Sequence, residues 1–256
     1  MAEEKENHKI LHMKNTWFKE GYPLFSKTHR IVMAGLGIGF TVAVRCFRKA
    51  DQQKRQNILK NVSHVPLTLE VIQDMTLVAE HKMNAQYLPL HLCGQAMFLE
   101  PLHAGMKDGR GKKELGNMIY SLFLPSAAMA LVFPGWNNLP VMNGISLKKY
   151  TAHFFLVLYG ILIREDGQIH LEKKTFLEDL IYLYGVALLL WPFNNRFHTN
   201  YLYTHEPVDP LRWIWDRYGK KTYILIMMTA GIVLISSMYL IEEESRKHTH
   251  ENTVCD

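Results

Sequence analysis

The sequence is poor in cysteine: Cys46, Cys93 and Cys255 are the only three, at unrelated spacings. That excludes a disulfide framework and a CxxC metal pair, and it leaves any cysteine chemistry to a single thiol. The N-terminal stretch MAEEKENHKILHMKNTWFKEG mixes acids with lysines and has no apolar core, so no cleavable signal peptide is expected. Basic residues are not interleaved with aromatics in a patch, which argues against nucleic acid as a partner. His91, His103, His198 and His205 share no HxxxH or HxxE spacing, so neither a metal nor another cofactor is expected. There is no internal repeat and no low-complexity linker.

What is abundant is uninterrupted apolar sequence. With 48% hydrophobic and 21% charged residues and a mean hydropathy of −0.08, the average composition would suit a soluble protein. The distribution does not. Charges gather at the two ends and in loops, and between them lie apolar runs of membrane-helix length; TYILIMMTAGIVLISSMYLI, Thr222 to Ile241, has no charge at all. A soluble helix would show a narrow apolar stripe rather than an apolar perimeter.

The expected fold is therefore all-α, a polytopic membrane helical bundle of about seven transmembrane helices with polar tails. The segments run roughly over 29–47, 66–83, 88–105, 114–133, 147–163, 176–193 and 222–241. Residues 1–28 read as a polar tail with an interfacial aromatic segment, 29–241 as the membrane domain and 242–256 as a second polar tail. Lysine and arginine crowd the loops after the first, third and fifth segments, which puts those loops, and Cys46, on the cytoplasmic side. A multi-pass protein of the cell membrane is expected, of unspecified oligomeric state. Glu70 and Asp74 should face the bundle interior, because charges on a lipid-facing surface have nothing to offset their desolvation.

Polar residues in apolar helices are where chemistry is sought. In LPLHLCGQAMFLEPLHAG, Pro89 suits a first helical turn, which would set Cys93 about one turn in, near the positive end of the helix dipole that favours a thiolate. Residues two apart on a helix diverge by about 200°, so His91 and Cys93 should have different neighbours, whereas Glu100 shares the cysteine side. A base must then come from another helix, and His153 is the one ionisable group between Tyr150 and Tyr159. The bland readings stand beside these: a buried cysteine commonly acts as a small hydrophobe, and a neutral histidine as interhelical glue. After the sixth helix, WPFNNRFHTNYLYTHEP reads either as an aromatic belt with a turn or as a polar lid supplied by Asn194, Asn195 and Asn200.

LPLHLC, the histidine in YTAHFFLVLYG and the NYLY after the sixth helix together resemble the YwaF family of bacterial multi-pass membrane proteins, which is distantly similar to the eukaryotic transmembrane protein 164 group. The resemblance runs from YPLF and His29 through the last helix. Gly94 and Gln95 depart from it, where an acidic residue often follows the cysteine. It implies a cysteine-dependent acyltransferase that moves a fatty acyl chain between glycerophospholipids, with membrane phospholipids as partners. By motif position the roles fall on Cys93 as nucleophile and His153 as base. His91, Gln95, Glu100, Asn194, Asn195 and Asn200 are the candidates for contacting substrate or a developing oxyanion. The rival reading is a transporter or channel in which Glu70, Asp74, Glu100 and histidines line an ion or solute path.

Overall fold

The computed structural model describes residues 16–254, with side chains to Ser245; most of the N-terminal tail, and Cys255, lie outside the described residues. Helices dominate, and no strand occurs among the described residues. We label the long ones α1 (Lys27–Lys49), α2 (Gln52–Ala79), α3 (Leu92–Gly105), α4 (Arg110–Val132), α5 (Gly144–Glu165), α6 (Lys173–Phe197) and α7 (Arg212–Val254). Four of them, α1, α4, α6 and the 209–245 stretch that contains most of α7, are long and apolar enough to cross a membrane. That is fewer than the seven crossings expected from sequence. The 14 residues of α3 give about 21 Å, short of a hydrocarbon core of about 30 Å. The first third of α2 is charged, and α5 has Lys148 and Lys149 near its start.

Local chemistry accounts for the ends. Ser26 caps α1 by accepting from the His29 N–H, and Asp51 caps α2 by accepting from the Lys54 N–H at 2.9 Å. That second cap starts α2 well before the segment at 66 marked by apolarity, so Pro66 sits inside the helix and not at its entrance. Lys54, Arg55 and Lys60 are correspondingly helical, not loop residues. α7 likewise starts ten residues before the apolar run, at Arg212, with a break at Gly219, whose φ of 80° is the left-handed conformation glycine adopts without steric cost.

The apolar perimeters sort the helices. Leu188 and Leu189 on α6 are each 75% exposed, and Ile38, Val42, Leu225 and Val233 also point outward. Such surface is costly in water and neutral against lipid chains. By contrast α5 is buried along Leu156–Gly160 and at Leu162 and Ile163, and it packs on α1, α2, α3 and α4. In the middle of α4, Ile119–Phe123 is a fully buried π-helical turn, a local widening of the kind that recurs at functional sites.

The chain reverses between successive helices, giving the bundle two ends. At one end, which holds Cys46, Arg48 makes a two-pronged pair with Glu165 (2.6 and 2.9 Å) and Arg164 donates to Glu242 at 2.8 Å. The opposite end holds the entry to α3, the start of α5 and the loop between α6 and α7. Here Glu70 of α2 is buried and takes an ion pair from Lys148 of α5, so it faces the interior as its charge requires. Asp74, one turn further along, is half-buried, with Oδ1 enclosed and unpartnered among the described residues.

Candidate active site

Cys93 lies closer to the helix start than its sequence position indicated. Pro89 precedes α3 instead of opening it; His91 is the N-cap, and Cys93 is the second residue of the helix. The first N–H to find a helical carbonyl is that of Gln95, on His91 O at 3.0 Å. The N–H groups of Leu92, Cys93 and Gly94 thus belong to the first turn of a helix, which has no intrahelical acceptors for them. Gly94 makes the tight entry possible: a Cβ there would come within 2.6 Å of the Pro89 carbonyl carbon and oxygen. Because the obstacle is backbone, Gly94→Ala should force the 88–91 segment off the helix end, costing about 1–3 kcal/mol. A melting temperature equal to that of the parent in detergent would contradict this packing.

The thiol's partner is Ser126 of α4, with Sγ and Oγ 3.9 Å apart. Since the Ser126 hydroxyl donates to Phe123 O at 2.8 Å, its oxygen faces the sulfur as an acceptor. No hydrogen bond joins Cys93 to His153 among the described residues. His153 instead places Nδ1 2.7 Å from the Lys149 carbonyl. A carbonyl only accepts, so Nδ1 carries the proton and Nε2 carries the lone pair; this is the tautomer a general base needs. The ring rests on Trp136, centroids 5.2 Å apart. Both Cys93 and His153 are half-buried.

The His91 ring lies against Tyr201 and Tyr203 at 5.0 and 5.2 Å, and it is within electrostatic range of His153. Tyr203 is in turn within electrostatic range of Cys93. The hydrogen-bond and ring contacts of the two still differ, Ser126 for Cys93 and the two tyrosines for His91, but the helical-wheel argument does not govern their relation. The reason is that His91, at φ −64° and ψ 155°, is extended backbone, to which the 100° step does not apply. Tyr203 and Leu202 both have φ of 55°, a left-handed conformation uncommon for such residues and of the kind that strained sites retain.

The other nominated residues occupy defined places. Gln95 donates to Leu90 O at 2.7 Å and accepts from the Tyr182 hydroxyl at 2.6 Å, tying the α3 entry to α6. Glu100 is buried on α3, with Oε2 unpartnered among the described residues; nearby, His103 Nδ1 and the Tyr159 hydroxyl are 2.7 Å apart. Asn194 organises the loop after α6: its amide donates to Tyr201 O and Thr204 Oγ1 and accepts from Thr199 and the Tyr201 N–H. Asn200 accepts from the His205 and Glu206 N–H groups, and the Asn195 side-chain oxygen lies 2.7 Å from His205 Nε2. Tyr201 anchors this loop to the one before α3, its hydroxyl 2.6 and 2.8 Å from the Ala85 and Leu88 carbonyls. Burial pushes the Tyr201 phenol up to about 12, so it serves as a neutral donor. Ser126, Trp136 and Tyr203 were not nominated by sequence, where a serine in LPSAAMA and aromatics near helix ends look ordinary.

Among the described residues no group of three histidine, cysteine, aspartate or glutamate side chains could hold a metal ion. Neither a curated protein nor a solved structure matches the chain. The TMEM164 family model matches residues 24–239, from the turn before α1 to the last apolar stretch of α7, and so takes in both Cys93 and His153. The match is to that family itself and carries no bacterial YwaF assignment. With its apolar, outward-facing helices and this match over most of its length, the chain is a membrane protein that belongs to the TMEM164 family.

Proposed function

We propose that this protein is a multi-pass enzyme of the cell membrane that moves a fatty acyl group between glycerophospholipids through a thioester on Cys93, with His153 as base. The observation that carries this reading is the pairing of a half-buried thiol at a helix N-terminus with a half-buried imidazole whose Nδ1 is tied to a carbonyl, leaving Nε2 unprotonated at the same end of the bundle. His153 Nε2 takes the thiol proton, the sulfur attacks an acyl ester carbonyl, and a tetrahedral oxyanion forms. The ester C–O bond then breaks, and the departing glycerol oxygen takes the proton back from His153. In the second half, the hydroxyl of a lysophospholipid gives its proton to His153 and attacks the thioester. The C–S bond breaks, and the thiolate recovers the proton. The N–H groups of Leu92, Cys93 and Gly94 are the donors suited to the oxyanion. Closure of the imidazole onto the sulfur accompanies substrate binding, as catalytic hydrogen bonds often tighten only in the complex.

The test is acyl exchange by purified protein in vesicles of phosphatidylcholine carrying a labelled acyl chain, with lysophosphatidylethanolamine as acceptor. Labelled diacyl product, and a hydroxylamine-sensitive label on Cys93, are expected. No label on the protein and no product would overturn the reading.

For orientation, we place the Cys46 end in the cytoplasm, since the helix ends beside its short connections (Arg45, Arg48 and Lys49; Arg110, Lys112 and Lys113; Arg164, Lys173 and Lys174) carry most of the lysine and arginine next to the short connections. Cys46 is exposed and can report on this. With Cys93 and Cys255 replaced by serine, a membrane-impermeant maleimide should label Cys46 only after permeabilisation. Labelling in intact cells would reverse the orientation.

A further inference from the structure

The first turns of α5 place two lysines beside the candidate site, and they differ in one respect. Lys148 is paired with buried Glu70. Lys149 is half-buried and makes no salt bridge among the described residues, because the carboxylate within electrostatic range of both lysines, Glu70, takes its ion pair from Lys148. The Lys149 ammonium stands over the Trp136 ring at 5.6 Å, and the same ring supports His153. It is also within electrostatic range of both His91 and His153. A half-buried cation with an aromatic on one side and no salt bridge of its own among the described residues is a site prepared for an anionic ligand.

Depth identifies the anion. Lys149 and His153 are four residues apart, so they share a face of α5, and Lys149 is about 6 Å nearer the bundle end. With an acyl ester at the level of His153, one helical turn outward is where the phosphate on the same glycerol would lie. We propose that Lys149 is the phosphate anchor of the site, holding the phosphodiester of a glycerophospholipid while its acyl ester meets Cys93 and His153; the ligand class rests on the acyl-transfer reading. A neutral diacylglycerol, alike in both acyl esters, lacks the anchoring group.

Retention can be measured without chemistry. Full-length protein in detergent is mixed with equimolar dioleoylphosphatidylcholine and dioleoylglycerol, and the bound lipids are counted by native mass spectrometry. Wild type should favour the phospholipid. Lys149→Met keeps the packing on Trp136 but not the charge, and should reduce that preference about tenfold, the loss expected of one charge-assisted hydrogen bond. Lys149→Arg should restore most of it, and Lys82→Gln, an exposed cation at the same end, should leave it unchanged. A Lys149→Met protein with wild-type melting temperature and wild-type preference would overturn the proposal. Inorganic phosphate that displaces the phospholipid at micromolar concentration would also overturn it, by showing a site for free phosphate. Wild type that retains phospholipid through Lys149 yet forms no thioester would remove the acyl-transfer reading alone.

Discussion

Cys93→Ala protein should fold, insert and carry out no acyl exchange. His153→Ala should lose about two to four orders of magnitude, the range over which a positioned base contributes. The two losses differ because the roles differ. Without sulfur no thioester can form, whereas without the imidazole a small thiolate fraction persists at a helix N-terminus. Among the described residues the thiol's side-chain hydrogen-bond partner is Ser126 at 3.9 Å, a long contact, so the fold does not lean on it. Cys93→Ala should accordingly melt close to wild type. Full exchange by purified Cys93→Ala would refute covalent catalysis and shift weight to transport through the polar interior. Combining Cys93→Ala with His153→Ala should add nothing to the single cysteine variant, because residues that act as a unit do not lose activity additively.

Glu70→Ala should be among the most destabilising single changes in the α2–α5 seam, by about 3–5 kcal/mol, since it removes the ion-pair partner of the poorly solvated Lys148 ammonium. The side chains of Glu70 and Lys148 are 8% and 16% exposed, so water screens the pair little. For a chain of this size the melting temperature should fall on the order of 10 °C. Replacing both partners, as Glu70→Leu with Lys148→Met, should recover most of the loss, because two apolar side chains owe no desolvation. If the single variant melts like wild type, the pair is not the seam's electrostatic clasp. Lys149 provides an internal contrast: Lys149→Met removes a charge that makes no salt bridge among the described residues, and stability should hardly move.

How much of this was legible in the sequence follows from which interactions are local. The bodies of α1, α6 and α7 could be read from composition, because transfer into lipid depends on the apolar surface of each segment taken by itself. The same logic singled out Cys93 and His153, each of an unexpected type for its apolar surroundings, and placed Glu70 inside because a charge there must be paired. The early start of α2 was missed, since its first turns are polar and Pro66 looks like a boundary; the Asp51 cap and the packing of α2 on α5 decide otherwise. Gln95, Asn194 and Asn200 were nominated as donors to substrate or a developing oxyanion, because a side-chain amide has N–H groups to offer. The sequence does not say that their partners are Leu90, Tyr182, Tyr201 and neighbouring backbone. His91 was separated from Cys93 by a helical wheel that its extended N-cap backbone does not obey. Ser126, Trp136, Tyr203 and the unpaired state of Lys149 depend on contacts between residues far apart in the chain, and their types are ordinary where they stand. Segment hydrophobicity and helix caps are properties of neighbours along the chain; the ion pairs, the tautomer of His153 and the company of the thiol arise only when α2 to α5 and the loop after α6 close on one another.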